Sequence, residues 1–295
     1  MQRVEKEISR LIKECEYDEV TRLFEMLSGG KRLRAKLILK IADEHEFAPL
    51  LAAIVELIHA ASLLHDDVID EASLRRGVPS VNATNGSKTA VMLGDILYSK
   101  AFTELVSFDK KIAKIIASSV TALSKGEMMD VKMADEFNHD EDKYLDMLYL
   151  KTATLIEAAA EASALLVGKD ASSHALYGRN LGLSFQIIDD ILDITSDEKT
   201  LGKPAMNDYV EGKCTLPYIY LYKLLDENDK QRLVSLHAKE LNQDSSSWIK
   251  QKMMEHKTIE KSFKLASKLS DEAMAAMKDD EDLVNILQTM IKRSY

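Results

Sequence analysis

Apolar residues recur at helical spacing through almost the whole chain, and no stretch shows the strict alternation of a half-buried strand. The four prolines all lie where we expect helices to begin or loops to run. Helices are predicted over Val4–Leu27, Leu33–Asp43, Pro49–Asp70, Lys88–Val106, Lys111–Met133, Glu141–Val167, Ala171–Thr195, Leu216–Leu225, Lys230–Leu241, Trp248–His256, Ile259–Met277 and Leu283–Ile291. The sequence therefore predicts an all-α protein, a large helical bundle of about ten or more helices around a central cavity.

Composition limits the domain organisation and the partners. An apolar content of 46% supplies a sizeable core, and no linker rich in Pro, Ser or Gly divides the chain, so we expect one domain over residues 1–295. The formal net charge of −10 disfavours nucleic acid and anionic membrane surfaces as partners. An anionic substrate must therefore be bound by local basic residues.

No secretory or membrane-spanning segment is expected. The N-terminus is too charged for a signal peptide. The two cysteines, Cys15 and Cys214, have no partner at metal-ligand spacing. Polar residues, Glu56 and His59 among them, interrupt the longest apolar stretches before they reach the roughly 18 residues of a membrane span. We therefore predict a soluble, cytoplasmic protein without a transmembrane segment.

A cluster of carboxylates ends the apolar helical stretch around residue 60. Asp66 and Asp70 are four residues apart and share one helix face, while Asp67 lies about 100° round the axis. Such a cluster is either a solvated helix end or a set of oxygen ligands for a divalent cation, and Mg²⁺ is typically held by one or two carboxylates plus substrate phosphates.

A second copy of the Asp-Asp-x-x-Asp spacing favours the metal interpretation. Asp189, Asp190 and Asp193 again follow an apolar helical stretch. Two such motifs on separate helices, each followed by basic residues, are hard to explain as solvated helix ends. The sequence therefore predicts a site for a metal ion and a diphosphate.

Basic residues at two other places fit the same ligand. Lys31 and Arg34 follow two glycines at the start of a predicted helix, where the macrodipole disfavours cations and favours phosphate. The alternative is a glycine C-cap followed by a basic first turn. Arg75 and Arg76 follow the first acidic motif, and their planar guanidinium groups suit phosphate oxygens, although they also neutralise nearby carboxylates.

Together these motifs resemble the trans-isoprenyl diphosphate synthases of the polyprenyl synthetase family, most closely the medium- and long-chain members of the octaprenyl type. The two acidic motifs correspond to the two aspartate-rich motifs of that family. The other matching positions are Gly29–Arg34, His59, Arg75–Gly77, Lys151–Thr152, Phe185–Gln186, Gly202–Pro204 and Gly212–Lys213. The match spans most of the chain in the family's order.

The resemblance implies a role for each matched residue. Two to three Mg²⁺ ions are expected on Asp66, Asp70 and Asp189, and the catalytic residues are expected to be Asp66, Asp67, Asp70, Asp189, Asp190, Asp193, Lys151 and Lys203. Isopentenyl diphosphate is expected on Lys31, Arg34, His59 and Arg76. The allylic diphosphate is expected on Arg75, Lys151, Lys203 and Lys213. Thr152 and Gln186 complete the allylic site, with Gln186 near the cationic carbon. The resemblance also implies a homodimer, and Asp208 is similar to an additional acidic position of some members.

The expected reaction begins with ionisation of the allylic diphosphate. Attack by the double bond of isopentenyl diphosphate and loss of a proton then complete it. Ala61 and Ser62 lie about one turn before Asp66 on the predicted cavity side, and both are small. Short-chain members of the family carry an aromatic residue there, so we expect a product of about six to nine isoprene units, with octaprenyl diphosphate as the central prediction.

Three alternatives remain open. A terpene cyclase also ionises an allylic diphosphate with aspartates, although it does not need the second diphosphate site suggested by Lys31, Arg34 and Arg76. A non-catalytic subunit of a two-component synthase would share the fold. A farnesyl or geranylgeranyl diphosphate synthase would share the chemistry and release a shorter product.

Overall fold

The computed structural model describes residues 1–27, 30, 32–42, 44–75, 77–196 and 205–291. About 79% of the structure is helical, so the predicted all-α fold class is confirmed. The helices of the described residues are α1 (Gln2–Lys13), α2 (Asp18–Met26), α3 (Leu33–Ala42), α4 (Ala48–Ile69), α5 (Val81–Asn85), α6 (Ser87–Leu105), α7 (Lys110–Ala134), α8 (Glu141–Leu148), α9 (Thr154–Leu166), α10 (Ala171–Thr195), α11 (Asn207–Val210), α12 (Leu216–Leu224), α13 (Glu227–Leu236), α14 (Gln243–Glu255), α15 (Thr258–Ala276) and α16 (Glu281–Ile291). A π-helical turn, Tyr149–Ala153, joins α8 to α9, and β1 (Leu74–Arg75) pairs antiparallel with β2 (Val78–Pro79).

Contacts between Cα atoms divide the chain into two compact units. The first unit comprises Met1–Thr121 and Leu155–Ala175, and the second comprises Ala122–Thr154 and Leu176–Tyr295. Each unit is thus built from two separate stretches of sequence. The single domain expected over residues 1–295 stays a prediction.

The core of the first unit is organised around α4, which packs against α1, α3 and α6. Its apolar side chains from Leu51 to Ile58 are completely buried. By length and composition α4 could cross a membrane, which the sequence argument from Glu56 and His59 did not anticipate. However, 72% of its most apolar window is buried inside the protein, as in the core helix of a folded domain.

Two of the predicted continuous helices are interrupted. Glu16 adopts a left-handed conformation with φ of 52° and separates α1 from α2, although neither Gly nor Pro marks this break. The second interruption is the π-helical turn at Tyr149–Ala153, within the predicted helix over Glu141–Val167. The helix predicted over Val4–Leu27 is therefore two helices, whereas the stretch predicted over Glu141–Val167 is helical from Glu141 to Leu166 and contains a π-helical turn.

Buried tyrosines anchor the loop region of the second unit. The ring of Tyr209 in α11 stacks on Tyr218 in α12 with centroids 4.2 Å apart, and its hydroxyl donates to the carbonyl of Leu233 in α13 at 2.7 Å. Tyr177 in α10 donates its hydroxyl hydrogen to the carbonyl of Leu283 in α16 at 2.8 Å. The buried hydroxyls of Tyr177 and Tyr209 are thus paired, and Tyr209 ties α11 to α12 and α13.

Candidate active site

The first acidic motif ends α4 in the first unit, and its three carboxylates have different surroundings. Asp67 is only 2% exposed, whereas Asp66 is half-buried and Asp70 is exposed. The amide of Asp70 donates to the carbonyl of Asp66 at 2.8 Å, as expected at the last turn of a helix. Asp66 and Asp70 are therefore the members of this motif that remain accessible to a ligand.

Arg75 neutralises the buried member of the first motif. Its Nε donates to Oδ1 of Asp67 at 2.8 Å, and its Nη2 contacts the same oxygen. The Asn82 side chain also donates to the main-chain carbonyl of Asp67 at 3.1 Å. A buried carboxylate costs free energy unless it is paired, so Asp67 and Arg75 fix the turn that follows α4.

Small residues accompany this end of α4. Ala61 is completely buried, and Ser62 is half-buried and donates its hydroxyl hydrogen to the carbonyl of His59 at 2.9 Å. Since Ala61 has no exposed surface, a larger side chain there would have to displace its neighbours. His59 itself is half-buried.

Sequence reasoning missed the pairing of His65 with α6. The His65 ring occupies the space where a Cβ of Gly94 would lie, so a side chain at that position would overlap the imidazole. Its Nε2 lies 3.2 Å from the carbonyl oxygen of Val91, and Tyr98 meets the ring edge-to-face with centroids 5.6 Å apart. Gly94 inside a helical stretch was the available signal, since a helix-interior glycine often marks a close approach.

A buried carboxylate binds the basic segment at the start of α3. Glu56, 4% exposed, accepts from the amide of Ala35 at 3.0 Å and from Nη1 of Arg32 at 3.2 Å. It therefore caps the first turn of α3, where Arg34 is half-buried. Arg32, which the sequence analysis did not assign, thus faces Glu56 and also pairs with Glu5.

In the second unit, Lys151 lies in the π-helical turn and is held by two carboxylates of α7. Its Nζ lies 2.8 Å from Glu127 and 2.5 Å from Asp130. Burial alone would lower the pKa of the ammonium, but Asp130 and Glu127 outweigh burial and raise that pKa. The sequence analysis missed this pair, although Glu127 and Asp130 are in phase with the buried Leu123 and Met133 of an amphipathic helix.

A hydrogen-bond chain connects the second acidic motif to the π-helical turn. Asp190, 5% exposed, accepts from the hydroxyl of Tyr144 and from Nε2 of Gln186, the latter at 3.0 Å. The Oε1 of Gln186 in turn accepts from the hydroxyl of Thr152 at 3.3 Å. Burial and the nearby Asp208 raise the pKa of Asp190, although the two donors oppose this shift. Tyr144 was also missed from the sequence.

The other two members of the second motif differ in exposure. Asp189 is exposed, whereas Asp193 is 2% exposed and accepts from the amide of Asp208 at 3.3 Å. The amide of Met206 also donates to the carbonyl of Asp193 at 2.8 Å. Asp189 is thus the accessible carboxylate of this motif, as Asp66 and Asp70 are of the first.

A cavity of about 140 Å³, lined by Asp190 of the second motif and by residues of the π-helical turn, lies wholly within the second unit. Its polar lining includes Asp130, Lys151, Thr152, Gln186, Asp190, Asp208 and Lys213. Gly212 has φ of +86°, and an added Cβ would lie 2.8 Å from the carbonyl oxygen of Ala134, so only glycine presents Lys213 to the cavity without strain. Lys213 is half-buried and contacts Glu211 at 2.9 Å.

Three predicted site residues lie outside the described residues. They are Lys31, Arg76 and Lys203.

The accessible carboxylates suit a divalent cation by their chemistry, because Mg²⁺ prefers oxygen ligands. Among the described residues, no three His, Cys, Asp or Glu side chains form a group that could hold a metal ion. A cation that takes one or two carboxylates and completes its coordination with substrate phosphates is compatible with that arrangement. The accessible carboxylates of each motif, Asp66 and Asp70 in the first and Asp189 in the second, are therefore of the type that such a cation takes.

Comparisons with known proteins identify the family of the chain. The polyprenyl synthetase family model matches residues 18–253. Over 221 residues, 71% of this chain and 68% of the relative, the chain is 38% identical to a short chain isoprenyl diphosphate synthase of Methanothermobacter thermautotrophicus. It is 35% identical to a geranylgeranyl diphosphate synthase of Sulfolobus acidocaldarius over 279 residues, 88% of this chain and 82% of the relative.

Among solved structures, the octaprenyl pyrophosphate synthase of Helicobacter pylori superimposes with a TM-score of 0.93 at 42% identity, covering 98% of this chain and 97% of that one. The fold and these comparisons define an all-α prenyltransferase. The chain belongs to the polyprenyl synthetase family, so the resemblance drawn from the motifs and the prediction of an enzyme are confirmed. The family's substrates are isoprenyl diphosphates, and its members use a divalent metal.

Proposed function

We propose that this protein condenses isopentenyl diphosphate with an allylic diphosphate to make a medium- or long-chain all-trans polyprenyl diphosphate. The observation that carries the proposal is the cavity of the second unit, where Lys151, Thr152, Gln186 and Lys213 come together beside the second acidic motif. These residues come from three distant stretches of sequence. A cavity that combines lysines, a hydroxyl and an amide with carboxylates suits a metal-bound diphosphate next to a developing cation.

Each group of residues has a proposed task. Asp66, Asp70 and Asp189 would hold two to three Mg²⁺ ions, which when bound would supply Lewis-acid stabilisation of the charge that grows on the leaving diphosphate. Lys151, Lys203, Lys213 and Arg75 bind the allylic diphosphate, and Lys31, Arg34, His59 and Arg76 bind isopentenyl diphosphate. Thr152 and Gln186 present their oxygens to the allylic carbon as positive charge develops there.

The buried carboxylates have a different proposed task from the accessible ones. Asp67, Asp190 and Asp193 are each no more than 5% exposed and already bonded to neighbouring groups. We assign them to holding the motifs in shape, whereas the sequence analysis grouped them with the catalytic residues. The proton lost at the end of the reaction goes to the released diphosphate, so the mechanism requires no Ser-His-Asp or Cys-His arrangement.

The product length is the finer part of the proposal. The small side chains of Ala61 and Ser62, together with the 42% identity to an octaprenyl pyrophosphate synthase, support octaprenyl diphosphate. A shorter product, farnesyl or geranylgeranyl diphosphate, is the second candidate, because Ala61 has no exposed surface and two relatives are named as short-chain and geranylgeranyl synthases.

One experiment tests both levels of the proposal. Purified protein is incubated with labelled isopentenyl diphosphate, Mg²⁺ and farnesyl or geranylgeranyl diphosphate, and the dephosphorylated products are sized by chromatography. We expect products of about eight isoprene units, no incorporation after EDTA treatment, and loss of most turnover in Asp66→Asn and Asp189→Asn. Turnover close to that of the unmodified protein in either variant would contradict the metal assignment. Complete inactivity of the purified single chain would instead favour a non-catalytic subunit.

We also propose that the protein acts as a cytoplasmic homodimer. The proposal rests on the family resemblance, and light scattering of the purified chain measures the oligomeric state directly.

A further inference from the structure

The lysine of the π-helical turn has an unusual environment for a diphosphate ligand. Its ammonium contacts two carboxylates whose side chains are 11% exposed for Glu127 and 9% exposed for Asp130. The three groups together carry a net charge of −1, so Lys151 does not attract an anion as an isolated lysine would. Lys151 must therefore contribute to diphosphate binding through the position of its N–H donors.

We propose that Glu127 and Asp130 are positioning residues that hold Lys151 for the allylic diphosphate. An ammonium has three N–H donors on a flexible four-carbon stem. Lys151 donates one hydrogen bond to Asp130 and forms an ion pair with Glu127 at 2.8 Å, so two contacts with α7 fix the position of the ammonium before any ligand arrives. This inference rests on the proposed function, because it concerns the same cavity.

The close approach of the α7 backbone to the π-helical turn supports this role. A Cβ at Gly126, next to Glu127, would overlap the main-chain nitrogen of Lys151 and lie 2.7 Å from the carbonyl carbon of Leu150. The two backbones therefore approach more closely than any residue other than glycine allows. Such an approach brings the first atoms of the Lys151 side chain next to α7, so that its ammonium meets carboxylates three residues apart on one helix face.

The π-helical turn also determines where side chains of the cavity point. An i→i+5 turn inserts one extra residue relative to an α-helix and so rotates the side chains that follow. Lys151 and Thr152 both lie in this turn, and both line the cavity. The carboxylate pair thus positions Lys151, and the turn positions both Lys151 and Thr152 at the cavity.

The test is a double-mutant cycle on steady-state kinetics with farnesyl diphosphate and labelled isopentenyl diphosphate. The variants are Glu127→Gln, Asp130→Asn, their combination, Lys151→Met, and the triple variant, in which all three charges are removed. Exposed residues just after α7 supply matched controls, Glu136→Gln and Asp135→Asn. Thermal melting and circular dichroism measure the folded fraction of each variant.

Positioning predicts a specific pattern. We expect the Glu127→Gln/Asp130→Asn variant to lose about 10- to 100-fold in kcat/KM for farnesyl diphosphate, with the KM for isopentenyl diphosphate changed less than about twofold. In the Lys151→Met background the same pair of changes should cause no further loss, because the carboxylates act through the lysine. The control variants should behave like the unmodified protein.

Other results would overturn the inference. If the carboxylate variants keep full kcat/KM, or lose as much activity in the Lys151→Met background as in the unmodified one, Glu127 and Asp130 do not position Lys151. A uniform loss that follows the folded fraction, with both KM values unchanged, would show a structural role only. Absence of turnover in the unmodified protein would instead refute the proposed function, so the two failures are distinguishable.

Discussion

Replacing Gly126 with Ala tests how closely α7 approaches the π-helical turn. The added Cβ would meet the carbonyl carbon of Leu150 at 2.7 Å and the Cα of Lys151 at 2.8 Å, both backbone atoms that cannot rotate away. Helix propensity alone would favour Ala over Gly by about 1 kcal/mol. Overpacking against backbone costs about 1–3 kcal/mol or more, so the two helices must separate.

We expect Gly126→Ala to lower the free energy of unfolding by about 1–2 kcal/mol and Tm by about 2–6 °C. Displacement of the turn also moves Lys151 and Thr152, and a shift of about 1 Å in such groups can cost up to about 100-fold in activity. We therefore expect kcat/KM for the allylic substrate to fall at least about 10-fold.

The assays are urea unfolding followed by circular dichroism, differential scanning calorimetry and the kinetics described above. Lys125→Ala is the control, because Lys125 is exposed and precedes Gly126 on the same helix. A Gly126→Ala protein with unchanged or higher Tm and full activity would refute the close approach of α7 and the π-helical turn.

Three further predictions concern other groups. Tyr144→Phe removes the hydroxyl bonded to Asp190 and should destabilise the protein by about 1–3 kcal/mol, measured by urea unfolding, with an unchanged free energy contradicting the bond. Burial raises the pKa of the Cys214 thiol to about 12, so iodoacetamide at pH 8 should leave it unmodified in the native protein and alkylate it in urea, as peptide mass spectrometry can check. Hydrogen bonds from Ser172 and Ser173 lower the pKa of Asp170 to about 2. The difference in the free energy of unfolding between the unmodified protein and Asp170→Asn should therefore be full above about pH 4 and shrink as the pH falls towards 2. A pH-independent difference in urea unfolding would contradict this prediction.

Much of the fold class was predictable because helices leave a local signal. The start of α4 next to Pro49 and its end near Asp70 follow from apolar spacing and helix-terminus chemistry. The interruptions at Glu16 and at the π-helical turn were not predictable, because each depends on which neighbour packs against that point of the helix.

The candidate site was likewise predictable from the sequence only in part. Repetition of Asp-Asp-x-x-Asp identifies both acidic motifs from residue types and spacing alone, since chemistry needs those groups whatever surrounds them. Asp66, Asp70 and Asp189 were the expected metal ligands, and the structure leaves these three accessible. The deep burial of Asp67 and Asp190 was not predictable from the spacing of the motifs.

The sequence by itself determined the all-α fold class, the family, and the lysines and aspartates available to the site, because these depend on residue type and on spacing within one helix. Only the tertiary structure decided which side chains meet. Lys151 contacts Glu127 and Asp130 across more than 20 positions of sequence, and Asp190 contacts Tyr144 across 46. Periodicity along one helix carries no information about a partner on another, so these contacts arise from packing alone.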